Sequence, residues 1–172
     1  MAMLTRLLAG LACLAFVVPA WSATKEEEMT KFIKELKDKD AKVRATAAEE
    51  IGKLGQTKSS LAKPAIAPLL ETLKDKETKV RAAAALALGQ CDPEDGEKAV
   101  KALTELMNDT KEDDLVRRYA VMGLGAMGEK AKAAVGDMRK VAGEAKEKGN
   151  KAMTKVIGEN IKLISGMMKK KD

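Results

Sequence analysis

Histidine does not occur in this sequence. The commonest general base and the commonest imidazole metal ligand are absent with it, which excludes Ser-His-Asp triads, Cys-His pairs and histidine-bound zinc. Aromatic residues are nearly as scarce, at 2%. The core must then be built from Ala, Leu, Ile, Val and Met, which suits helices packed closely on helices better than a β-sandwich of aromatic and β-branched side chains. Cysteine occurs only as Cys13 and Cys91. The acidic clusters, Glu26 to Glu28 and Asp113-Asp114, show no metal-ligand spacing and stand at helix starts, where the macrodipole favours them. The expectation is a chain with no catalytic, cofactor-binding or metal-binding residue, and no enzyme.

The N-terminus has the layout of an export signal. A short basic start, Met1 to Arg6, leads into the apolar run Leu7 to Val18 and then Pro19, Ala20, Trp21, Ser22 and Ala23. The small residues Ala20 and Ser22 fit cleavage after Ser22, and cleavage after Ala20 is also acceptable. The run falls short of the ~20 residues a spanning helix needs, so a membrane partner is expected only if the segment stays uncleaved. Apolar residues continue past Cys13, and Gly10 stands where a lipoprotein signal carries Leu, which argues against a lipid anchor. The domain plan is a signal at 1–22, a repeat domain at 23–168 and a basic tail at 169–172. Removing the signal lowers the net charge by one from +6 and leaves Cys91 without a disulfide partner.

Internal repetition organises the remainder. Leu36 to Ala45 reads LKDKDAKVRA and Leu73 to Ala82 reads LKDKETKVRA, identical at eight of ten positions with an offset of 37. A third copy surrounds Val116-Arg117, 36 residues further on. Counting from the Val of each Val-Arg pair, the fourth residue on is Ala47, Ala84 or Ala120 and the eighth is Ile51, Leu88 or Leu124. The eleventh is Leu54, Cys91 or Met127, and a degenerate fourth copy starting at Met153 places Ile157, Ile161 and Ile164 at the same offsets. Offsets of 0, 4, 8 and 11 share one helical stripe, so each copy holds an amphipathic helix with the same buried face.

Each of these helices is preceded by another, giving eight in strict pairs. Thr24 and Glu27 form a capping box opening a helix with Met29, Phe32, Ile33 and Leu36 on one face. The second copy runs from Ser60 to Lys74, with Pro64 tolerable in its first turn and a kink expected at Pro68. Asp92-Pro93 reads as an N-cap and first helical position leading to Val100, Leu103 and Leu106. Glu129 to Lys148 supplies the fourth. The approximate repeats are 24–55, 58–91, 92–128 and 129–166.

The turn pattern Asp-x-x-x-x-Val-Arg (Asp38 to Arg44, Asp75 to Arg81), followed by Ala-rich text and Leu-Gly, resembles HEAT repeats, particularly short bacterial ones. The resemblance implies an all-α fold: a right-handed α-solenoid of four HEAT-like helix pairs, an α-α superhelix. It also implies a scaffold or partner-binding role more than an activity. Copy four departs from the pattern, with Thr154 in place of the Arg and no preceding Asp, as befits a terminal repeat.

Several features have both a sharp and an ordinary reading. Arg44, Arg81 and Arg117 could grip phosphate; recurring with the architecture, they read better as Arg–carboxylate pairs that set the turn and stacking angle within or between repeats. Residues 123–128 match GxGxxG, yet the motif needs a strand before it and a helix after it, and here it lies inside a helix. Helix crowding and helix termination account for Gly125 and Gly128. Cys91 occupies a core stripe position, as expected of a small hydrophobe. Asn108-Asp109-Thr110 is a glycosylation sequon that has meaning only in a eukaryotic source.

The resemblance places the second helices of the pairs along the concave, partner-binding side. Offsets 2 and 6 point away from the core stripe and give Glu49, Arg118, Met122, Lys155 and Glu159, with Tyr119 beside them; Ala45, Ala82 and Leu86 share the same offsets and offer a smooth apolar surface. The expected function is a non-catalytic protein-binding or scaffold module of the periplasm or extracellular space, with no cofactor and no small-molecule ligand. The alternative is a nucleic-acid or anionic-polymer binder, suggested by a pI near 9.2. Interleaved acids and missing stacking aromatics weigh against nucleic acid. A lyase-like or regulatory enzyme subunit is a third reading, and a metal-dependent hydroxylase would need the missing histidines.

Overall fold

A computed structural model describes residues 24–94 and 96–169. The export signal and most of the basic tail lie outside the described residues. No strand occurs among the described residues, and every periodic segment of the sequence is helical. In chain order the helices are α1 (Lys25–Glu35), α2 (Ala41–Thr57), α3 (Ser59–Ala62), α4 (Ile66–Thr72), α5 (Thr78–Gln90), α6 (Glu97–Asn108), α7 (Asp114–Ala126), α8 (Val135–Glu147) and α9 (Lys151–Lys169). They form four pairs: α1 with α2, α3–α4 with α5, α6 with α7 and α8 with α9.

Local chemistry sets the helix starts. The Thr24 hydroxyl accepts from the Glu27 amide at 3.2 Å while the Thr24 amide donates to Glu27 Oε2 at 2.9 Å, which is the expected capping box. Asp40 caps α2 through the Lys42 amide at 2.8 Å, and Asp113 caps α7 through the Leu115 amide at 2.7 Å. Asn150 does the same for α9 through the Met153 amide at 3.1 Å.

Three expectations for the first helices need correction. The second first-helix is not one helix kinked at Pro68. A 3-10 turn, Lys63–Ala65, divides it into α3 and α4. Pro68 clashes with the carbonyl four residues earlier and cannot donate to it, so the break falls upstream, at Pro64. Asp92-Pro93 does not open α6, whose N-cap is Gly96. Asp92 has φ +41° and ends α5 in the left-handed region, as Gly128 with φ +56° does after α7. The fourth first-helix begins with a seven-residue 3-10 stretch, Gly128–Ala134, before α8.

The second helices stack in the order α2, α5, α7, α9, and the core lies between them and the first helices. Ala47, Ile51, Ala84, Leu88, Ala120 and Leu124 are all fully buried. The degenerate fourth copy keeps the stripe, with Met153, Ile157 and Ile164 fully buried and Ile161 half-buried.

Glycine sets the spacing within the stack. A Cβ on Gly123 would lie 2.5 Å from the Ala85 carbonyl oxygen, and one on Gly89 would overlap the Gly123 backbone. Gly52 sits against Ala87, and Gly125 against the Asn160 side chain. So Gly125 of the GxGxxG match marks a helix crossing, and Gly128 a helix end.

Candidate functional site

The recurring arginines form a ladder between repeats. Arg44 donates through Nε and Nη2 to both oxygens of Asp75, at 2.7 and 2.9 Å, and through Nη1 to the carbonyls of Asp38 and Lys39. Arg81 repeats the arrangement: Nε and Nη2 meet Glu112 at 2.8 and 2.6 Å, and Nη1 meets the carbonyls of Asp75 and Lys76. Each guanidinium thus ties its own turn to the acid of the next repeat with bidentate geometry. These hydrogen bonds hold the Asp75 and Glu112 carboxyls below the ordinary carboxylate range and raise both arginines. The third rung differs. Lys148 stands 31 residues after Arg117, the spacing that separates Arg44 from Asp75 and Arg81 from Glu112. Arg117 turns to the Met107 carbonyl at 2.9 Å and to Asp114 at 3.5 Å, while Asn150 reaches back to Asp114 at 2.6 Å. The rungs are occupied with protein partners, so the ordinary reading of these arginines holds.

Cys91 is fully buried, with Sγ 3.8 Å from the Ile51 carbonyl, and burial pushes its thiol up to about 12. That is the setting of core filler, since a reactive cysteine needs an accessible thiolate. Among the described residues no group of three or more Cys, Asp or Glu side chains could hold a metal ion.

The exposed face of the second helices carries a groove of about 800 Å³ across the first turns of α2, α5 and α7. Ala45, Ala82 and Ala83 form its floor, Leu115 and Tyr119 one wall, and Lys42, Glu49, Glu77 and Lys79 its charged edges. The floor is low because alanine occupies offset 2 in the first two repeats. Ala82 is 2% exposed, so the smooth surface expected there is a recess, while Ala45 and Leu86 are half-buried.

Of the six residues singled out from sequence, the groove brings Glu49 and Tyr119 together. Arg118 is half-buried, its Nε 3.3 Å from the Asp114 carbonyl. Met122 is one of two large exposed apolar residues among the described residues, at 37%. Lys155 and Glu159 are exposed on α9 and 4.0 Å apart, outside the groove. Leu115 and Thr78 also line the groove and were not singled out; the signal for them is their place one position before the Val-Arg pair, or two, in register with Lys42 and Ala41.

Two further grooves separate the first helices, one of about 490 Å³ between α6 and α8 and one of about 470 Å³ between α4 and α6. The first helices therefore splay where the second helices touch.

In fold, the chain is similar to an engineered protein whose crystal structure comes from the Northeast Structural Genomics Consortium, with a TM-score of 0.61 at 19% identity, over 84% of this chain and 68% of that one. No curated protein sequence matches the chain. The profile of the HEAT repeats matches residues 29–125, more than half of the sequence and three of the four helix pairs. With the Val-Arg turns, the inter-repeat rungs and the stacked second helices in register, the chain belongs to the HEAT repeat family.

Proposed function

We propose that the chain is a non-catalytic protein-binding or scaffold module, a right-handed solenoid exported to the periplasm or extracellular space on a signal cleaved after Ser22 or Ala20. Its partner sits on the second-helix face. The groove over α2, α5 and α7 carries this reading: an alanine floor lets a partner approach closely, and Tyr119 offers the large amphipathic side chain on which interface energy concentrates. Curvature agrees with it. Layers that touch on one side and splay on the other bend toward the touching side, which makes the second-helix face concave. The edges of the groove carry both signs of charge, in Lys42 and Lys79 against Glu49 and Glu77, which favours a protein surface over a polyanion.

The test is retention of envelope proteins on the immobilised mature chain at 50 and 200 mM salt, beside titrations of duplex DNA and single-stranded RNA. Protein retained at both salts, and lost with Tyr119→Ala at unchanged melting temperature, supports the proposal. Submicromolar nucleic-acid binding that falls by about three decades or more between the two salts, with no protein retained, overturns it.

A further inference from the structure

The two ends of the stack are chemically different, and the repeat register shows how. Each second helix meets its predecessor through offsets 7, 10 and 11, as Ala87, Gln90 and Cys91 meet Gly52 and Gly55. It meets its successor through offsets 5 and 9, as Ala85 and Gly89 meet Gly123. On α9 the successor face holds Gly158 and Lys162, so a lysine stands where Gly52, Gly89 and Gly125 admit the next helix. That end is closed to stacking by an exposed charged side chain.

The α2 end carries charge as well, Glu50 and Lys53 at offsets 7 and 10 of its predecessor face, but of both signs and already paired, where Lys162 stands alone. The same face holds Leu54 at offset 11, with Val43 at its edge, both half-buried, where Val80, Val116 and Cys91 are fully buried and Met127 is 4% exposed. Phe32 of α1 is half-buried where its counterpart in α4, Leu69, is fully buried. Among the described residues no helix packs over this face. Glu50 and Lys53, 2.6 Å apart, lie in the stripe Thr46, Glu50, Lys53 and Thr57 that runs through this face. The stripe reads the same in both directions apart from charge sign: with two α2 helices antiparallel about a twofold axis level with residues 51 and 52, Glu50 meets the second copy's Lys53 and Thr46 meets its Thr57.

We propose that the α2 end face binds a second copy of this chain, end to end about a twofold axis. A head-to-tail array would need the α9 end, where Lys162 prevents it, so the contact is isologous and closes at two chains. Across it the two Glu50–Lys53 pairs merge into a group of four alternating charges, and Val43, Leu54 and Phe32 lose most of the water contact that their buried counterparts in the inner repeats lack. The interface reaches the groove on the second-helix face only at its rim, where Thr46 belongs to both, so the pair presents two copies of that groove.

The experiment is sedimentation of the protein as recovered from the exporting cell, its N-terminus read by intact mass, from about 1 to 200 μM, a range chosen to bracket contacts of micromolar strength. Wild type is expected to move from one to two protomer masses across this range. Glu50→Lys and Lys53→Glu, each placing like charges opposite each other twice, are expected to raise the dissociation constant about tenfold or more. The double variant Glu50→Lys/Lys53→Glu restores complementarity and is expected to restore the dimer. All variants should match the wild-type melting temperature at the lowest concentration. A wild type that stays at one protomer mass throughout overturns the proposal, as does a double variant no better than the single ones. The first outcome would mean that residues upstream of Thr24 or another protein cover the face.

Discussion

Replacing glycine by alanine should change stability in opposite directions at two matched positions. Gly123 and Gly143 both lie inside helices, α7 and α8. Alanine gains about 1 kcal/mol over glycine in a helix interior from backbone entropy alone. At Gly143 nothing lies within 4 Å of the new methyl group, so that gain stands alone. At Gly123 the methyl meets the Ala85 carbonyl oxygen at 2.5 Å and Leu103 Cδ1 at 3.2 Å. The carbonyl belongs to backbone and cannot rotate aside, so α5 and α7 must separate. Overpacking of this kind costs about 1–3 kcal/mol, and more when helices rather than side chains must move. The net expectation is a loss of up to about 2 kcal/mol at Gly123 and a gain of about 1 kcal/mol at Gly143. In a domain of this size that corresponds to melting temperatures shifted by about 2–4 °C per kcal/mol, down for the first and up for the second. Thermal and urea unfolding followed by circular dichroism measure both. Gly123→Ala as stabilising as Gly143→Ala would refute the close helix crossing as the reason for the recurring glycine.

The arginine ladder gives a graded expectation. Arg81→Ala leaves Glu112, 10% exposed in its side chain, without its cation, and should cost about 2–4 kcal/mol; Arg117→Ala, which breaks no bidentate pair, should cost less. Because the folded Asp75 and Glu112 carboxyls sit below their unfolded values, the rungs contribute fully above the ordinary carboxylate range. Their contribution is lost as pH falls below about 4, so the gap in melting temperature between wild type and Arg81→Ala should shrink there. The Cys91 thiol should react slowly with a disulfide reagent in native buffer and quickly in denaturant; rapid native labelling would place it at the surface.

The stripe residues were legible in the sequence because they recur at a helical period. Ala47, Ala84 and Ala120 had to be buried together, or the copies would not agree, and they are. The capping box at Thr24 was legible for a similar reason, since two side chains three apart serve each other locally. The breaks in the first helices were less so. Pro68 announces a disturbance, but whether the chain kinks or forms a 3-10 turn upstream depends on how α3 and α4 dock, which is tertiary. Asp92 misled because Asp before Pro is a good N-cap, while the same residue also tolerates the left-handed conformation that ends α5. The arginine–acid pairing was legible as a pair, with a link within a repeat and a bridge between repeats both open. The constant spacing of 31 from Arg44 to Asp75 and from Arg81 to Glu112 carries that information once the stacking order is known. On the candidate site, offsets 2 and 6 pointed to the face that carries the groove, yet the groove depends on how far α2, α5 and α7 diverge, which no single helix encodes.

The most direct measurement for the proposed binding through the second-helix face is site-specific photo-crosslinking in the source cell. One probe replaces Thr46, exposed at the groove edge, and another replaces Lys101, exposed on α6 in the opposite layer. Crosslinks from position 46 to a discrete protein other than the chain itself, abolished by Tyr119→Ala and absent from position 101, are the predicted result. Crosslinks from position 101 alone, or to nucleic acid from either position, would contradict it.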